Sequence, residues 1–276
     1  MFKWIKIGVI IGSPDKPPYF IGSQLRGSFG YALKKVTCIN PSFKCEECFA
    51  QESCLYYEFY EQKNRPHKYR FDFELGKEFY DFSLYLFDDA TNKLPYALSA
   101  LQMMLTQNGF GVERKTYKLF DLYIDDKLIN KDQNIKIPKE STKTFHIDKI
   151  YQDITIDFKT PLRLKKNNRL IRDDNIELKD IVNSIYQRQM QILGNGYKKF
   201  PYPIEGEIVS KNLKYKELTR MSNRQKSTMN MGGILGTMKI KGINKEAYEV
   251  LKVGELIGAG KQCVFGLGKM EVKDLN

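Results

Sequence analysis

A chain of 276 residues suits one large domain or two of about 100–150 residues each, and 42% hydrophobic content argues against wholesale disorder. No apolar run reaches the roughly 18 residues of a membrane span, so no membrane association is expected. The 45 basic residues against 33 acidic ones leave +12, an excess that favours an anionic partner, nucleic acid first.

The short apolar N-terminus carries Lys3 and Lys6 and has no small-residue cleavage site behind it. It reads as a first strand, Lys3–Ile11, rather than a signal peptide, and the expected location is the cytoplasm. Next, "GSQLRGSFGYALKKV" (22–36) spaces Leu25, Phe29, Leu33 and Val36 as a helical stripe. A cysteine-rich insert follows at 38–54. The stretches 68–76 and 77–87 alternate apolar with polar residues as two strands, 94–109 is a helix with Pro95 in its first turn, and 117–125 is a further strand. That is β-α-β-β-α-β, the ferredoxin-like order, over 1–126.

Polar, Lys-rich residues 127–150 read as a linker. The order then repeats over 151–276: a strand at 153–165, a helix at 178–194, strands near 206–209, 213–223 and 229–240, a helix at 244–258 and a last strand at 268–272. The expected fold class is α+β, two tandem ferredoxin-like (RRM-like) domains with the cysteine insertion and a C-terminal glycine-rich loop. The 17 Tyr and 17 Phe either fill these cores or supply rings that stack on bases.

Three features carry chemistry. "GAGKQCVFGLG" (258–268) follows a helix and opens a strand, so it fits neither the Walker nor the dinucleotide pattern. Its glycines allow a tight crossing, cradle an anion, or both. Basic side chains recur in "TPLRLKKNNRLIR" (160–172), with Arg163, Lys165, Lys166, Arg169 and Arg172, and in "RMSNRQKS" (220–227), with Arg220, Ser222, Arg224, Gln225 and Lys226. Such runs are ordinary solvated faces or tracks for an RNA backbone. Cys38, Cys45, Cys48 and Cys54 have the spacing C-x6-C-x2-C-x5-C. In a cytoplasmic chain this points to a structural zinc knot, with reduced thiols or disulfides as the alternatives.

Taken in order, "LRGSFGYAL" (25–33) with the downstream cysteines, "TPLRLK" (160–165), "RMSNRQ" (220–225), "MGGILGTMKIKG" (231–242) and "GAGKQCVFGLG" resemble the CRISPR repeat-processing endoribonucleases of the RAMP superfamily. The resemblance spans both halves of the chain. It implies an RNA-binding protein that cleaves precursor CRISPR RNA without a catalytic metal. The ribose 2′-hydroxyl attacks the adjacent phosphate and leaves 2′,3′-cyclic phosphate and 5′-hydroxyl ends. It also implies that Gly258, Gly260, Gly266 and Gly268 expose amides near RNA phosphates, with Lys261 and Gln262 in the same loop, and that Arg26 joins the RNA-binding set. The family commonly places a catalytic histidine in or after the first helix, and 22–36 has none. The candidates are therefore His67, in "NRPHKYR", then His146 in the linker, with Tyr31, Lys34 and Lys35 as substitutes. The missing histidine keeps open a different class, a non-catalytic RNA-binding RAMP subunit of a CRISPR effector complex.

Overall fold

The computed structural model describes residues 2–63, 65–109, 111, 113–131, 134–166, 168–222 and 227–275, the side chains at 220–222 and 227–228 excepted. The chain divides into two compact units, Met1–Thr144 and Phe145–Asn276.

In the first unit β1 (Lys3–Ile11), α1 (Gly22–Thr37), β2 (Tyr69–Phe73), β3 (Asp81–Phe87), α2 (Leu94–Met103) and β4 (Phe120–Ile124) follow one another. Antiparallel pairing sets the strand order β2-β3-β1-β4. Alternation along "KWIKIGVII" puts Ile5, Ile7, Val9 and Ile11 on one buried face. The stripe Leu25, Phe29 and Leu33 of α1 is buried as well, and Phe29 meets Phe71 of β2 edge-on at 5.6 Å. The helix expected to reach 109 changes character part-way. α2 ends at Met103, and the chain widens into a π-helical turn, Met104–Asn108, before Gly109. A second π-helical turn, Tyr57–Glu61, follows the cysteine segment.

The polar stretch read as a linker is divided. β5 (Lys127–Leu128) pairs with β4, β6 (Asn130–Lys131) with β7 (Asn134–Ile135), and β8 (Lys143–Thr144) with β1. Asn130 fastens this extension: its side-chain amide donates to the Phe120 carbonyl at 2.8 Å and accepts from the Leu122 N–H at 2.6 Å. Residues 127–144 are polar because they form short edge ribbons, and they belong to the first unit.

The second unit contains β9 (Ile154–Leu162), the hairpin β10 (Lys165–Lys166) and β11 (Arg169–Leu170), α3 (Leu178–Ile192), β12 (Glu207–Lys216), the hairpin β13 (Thr219–Ser222) and β14 (Ser227–Asn230), β15 (Gly233–Lys241), α4 (Lys245–Ile257) and β16 (Met270–Asp274). Its sheet runs β12-β15-β9-β16. Its main elements thus repeat the β-α-β-β-α-β order of the first unit, with the strands in the order second, third, first, fourth. The two strands expected at 206–209 and 213–223 are one strand, β12, with a bulge between Ile208 and Ser210, followed by β13.

Cys38, Cys45, Cys48 and Cys54 line one small cavity beside Tyr56 and Tyr57, all as free thiols. Among the described residues no three His, Cys, Asp or Glu side chains come together to hold a metal ion. The donor set suits zinc but its placement does not, so the expected zinc knot is not supported. Cys38 Sγ donates instead to the Asn40 carbonyl at 3.7 Å, and burial pushes the Cys45 thiol up. Among the described residues no helix is long and apolar enough to cross a membrane.

Candidate functional site

The expected catalytic side chains do not share one place. One side of α1 is packed against the π-helical turn Tyr57–Glu61. The Tyr60 ring lies on Gly30, its hydroxyl donates to the Arg26 carbonyl at 2.7 Å, and Tyr56 stacks on it at 5.2 Å with the planes 4° apart. Burial pushes the Tyr60 phenol well above its ordinary range, so it remains a donor. Two cations are drawn into this pack: the Arg26 guanidinium 4.6 Å from the Tyr60 centroid and the Lys34 ammonium 5.0 Å from that of Tyr56. His67 belongs to the same cluster. Its Nδ1 is 3.0 Å from the Glu58 carbonyl and its ring lies 6.0 Å from Tyr69. His146 is in the second unit, 78% exposed, with Nε2 3.2 Å from Asp148.

Tyr31 points elsewhere and is 50% exposed. The Lys35 ammonium lies 4.7 Å from its ring centroid and the Arg114 guanidinium 5.9 Å from it. Lys35 donates to Asn108 Oδ1 at 3.1 Å, at the end of the second π-helical turn. Arg114 was absent from the sequence-based candidates. The glycines of "GFGVERK" just after α2 were the available signal, since a chain that turns back sharply after a helix requires them. A basic, open corner is thus built from Tyr31 and Lys35 of α1 and from the loop behind α2.

In the second unit three distant stretches meet at Arg163, which follows β9 directly. Its carbonyl accepts from the Lys261 N–H at 2.9 Å, its backbone forms a parallel bridge with Gly260, and its guanidinium donates to the Gly232 carbonyl. "TPLRLK", "MGGILGTMKIKG" and the glycine loop are therefore parts of one junction. The loop's amides are largely engaged inside it. Ala259 N–H donates to Gly268, Gly260 to Ser184 Oγ at 3.1 Å, Gly266 to Cys263, Gly268 to Pro161 and Lys269 to Thr160 Oγ1 at 2.8 Å. Gly258 and residues 263–268 are buried, Gly260 and Gln262 are half-buried, and Lys261 is exposed. The motif is a structural crossing that presents a lysine.

Beside this junction the β10–β11 hairpin and the chain after it border an open cavity of about 630 Å³, edged by Lys166, Arg169 and Arg172. Lys165 is exposed, and Arg172 lies 5.8 Å from the Tyr215 ring centroid. Lys166 and then Lys179 lower Glu177 to about 2, so part of the hairpin's charge is compensated. Arg224 and Gln225 lie outside the described residues, as do the side chains of Arg220 and Ser222.

Residues 5–145 match the family model of the AF_1859 N-terminal domain (AF_1859_N), just over half of the chain, and residues 156–270 match that of the CRISPR-associated endoribonuclease Cas6. The chain belongs to the AF_1859 family, and its match to Cas6 lies within the second unit. An uncharacterized protein of Archaeoglobus fulgidus is 25% identical over 93% of this chain and 92% of its own length. Among solved structures, a Cas6 (TTHB231) product complex matches with a TM-score of 0.58 at 15% identity, covering 99% of each chain. A RAMP protein binding different RNA substrates matches with a TM-score of 0.53 at 12% identity, covering 99% of this chain and 100% of that one. At such identities these structures establish a shared Cas6-like fold of mixed helices and antiparallel sheets.

Proposed function

We propose that the protein is a metal-independent endoribonuclease of tandem ferredoxin-like architecture that binds CRISPR repeat RNA and cuts precursor CRISPR RNA. In this reading a ribose 2′-oxygen forms a bond to the neighbouring phosphorus while the bond to the 5′-oxygen breaks. The 2′ proton passes to solvent, and Tyr31 gives its proton to the departing 5′-oxygen and takes one back from solvent. The products are a 2′,3′-cyclic phosphate and a 5′-hydroxyl. The observation that carries this reading is the placement of a half-exposed phenol on α1 with cationic side chains at its ring, in a chain with a match to Cas6. Lys165, Arg169, Arg172 and Lys261 form the backbone-binding surface of the second unit. The product complex and the RNA-bound RAMP protein of the same fold support repeat RNA as the partner.

The contacts of His67 and His146 favour one alternative, a RAMP subunit that binds RNA without cutting it. Labelled repeat RNA incubated with the purified protein in EDTA separates the two. A discrete cut with cyclic-phosphate ends supports the enzyme, whereas tight binding with intact RNA supports the subunit.

A further inference from the structure

From the loop behind α2 we infer a phosphate-binding site, with Arg114 and Lys35 as the paired cations that hold the scissile phosphodiester against Tyr31. The inference rests on the reading of the chain as an RNA-cutting enzyme and supplies that site with the groups that bear its charge.

The loop that delivers Arg114 is held at several points. Gly109 has φ +64°, and a methyl group there would sit 2.7 Å from the Lys115 carbonyl oxygen and closer still to that of Arg114. The chain therefore folds back on itself at a position only glycine can occupy. Arg114 is itself left-handed, with φ +49°, and its N–H donates to the Gly111 carbonyl at 3.4 Å. Tyr117 N–H donates to the Leu105 carbonyl at 2.7 Å, and Lys115 pairs with Asp15. A non-glycine residue persists in this conformation where its surroundings over-determine it, and such positions cluster at ligand clamps.

The side chain that this backbone carries is exposed and reaches the Tyr31 ring, where Lys35 also arrives. Among the described residues no carboxylate is paired with either cation. Two positive charges therefore lie at the ring of one phenol, neither of them paired with a carboxylate of the described residues. A phosphodiester between them would accept hydrogen bonds from both, Arg114 in the forked geometry that suits phosphate oxygens. During cleavage the same cations would face the additional charge on the phosphorane, where a fixed donor contributes most.

The test uses the intact chain and two RNAs, the natural repeat and the same repeat with a 2′-deoxy substitution at the cut. Arg114→Gln keeps the stem and the strained backbone while removing the charge. With protein saturating, its single-turnover cleavage falls about 10²-fold, and Arg114→Lys restores part of the rate. On the deoxy RNA, the slope of log K against log salt becomes shallower by about 0.7 for the lost phosphate contact. Lys118→Gln, which removes an exposed charge four residues along, changes neither quantity. An unchanged rate and slope in Arg114→Gln overturn the inference, as does a rate that recovers fully at saturation. If the wild-type chain binds but never cuts while Arg114→Gln still flattens the slope, the phosphate contact stands and the enzymatic reading falls.

Discussion

Gly30→Ala tests the packing behind the candidate site, because two effects of opposite sign meet there. Glycine within a helix is worth about 1 kcal/mol less than alanine, so a substitution in α1 with free space around it would stabilise. At Gly30 the added methyl would sit 2.6 Å from Tyr60 Cζ and nearer to Cε1. The ring has to retreat by about 1 Å to reach ordinary contact. Its hydroxyl is bonded to the Arg26 carbonyl, the Arg26 guanidinium lies over the ring and Tyr56 stacks on it, so retreat breaks a hydrogen bond and disturbs two ring contacts. Overpacking of this kind costs about 1–3 kcal/mol and the hydrogen bond about 1 kcal/mol more. The expected net is a loss of about 1–3 kcal/mol. The chain's one tryptophan, Trp4, is in β1, so its fluorescence during urea unfolding reports the first unit. In a Tyr60→Leu background the same substitution should instead stabilise by about 1 kcal/mol. If Gly30→Ala raises stability with Tyr60 in place, the packing described for α1 is wrong.

Gly27→Ala, on the same helix but with nothing within 4 Å of the added carbon, should stabilise the first unit by about 0.5–1 kcal/mol in the same fluorescence assay. Gly268→Ala should destabilise the second unit by about 3 kcal/mol, because φ is +69° and the methyl would meet the Ala259 backbone; faster amide hydrogen exchange across β9 and β16 is the readout. Tyr31→Phe should slow single-turnover cleavage about 10²-fold or more with RNA affinity retained, while His67→Ala should leave the rate within several-fold and lower the urea midpoint reported by Trp4. The affinity of the wild-type chain for repeat RNA should fall steeply with added salt, and a flat response would remove the phosphate contacts from the proposal.

Much of the architecture was legible because it is written in short-range periodicity. β1 and α1 declare themselves through alternation and a three-to-four spacing that only their buried faces require. The end of the first unit was not legible, since a polar ribbon pairing at a sheet edge has the composition of a linker. At the site, Lys34 and Lys35 lie three and four residues beyond Tyr31 and are equivalent on a helix surface. What separates them is tertiary: Tyr56 takes one and Asn108 the other. The amides of the glycine loop looked available because their acceptors, Ser184, Pro161 and Thr160, come from remote parts of the chain. Arg114 was hidden for the same reason, in a loop without any repeat pattern.

Because Arg163 ties three remote segments into one knot, and that knot turns a lone lysine outward, the rigid part of this surface and its adjustable part are separate. In the proposed reading, exchanging the outward residue alters what is recognised without loosening the tie beneath it. Changing any strand of the tie forces the other two to move as well. If the proposed RNA-binding role of Lys261 holds, preference for one RNA over another is adjustable at that position while the scaffold stays fixed.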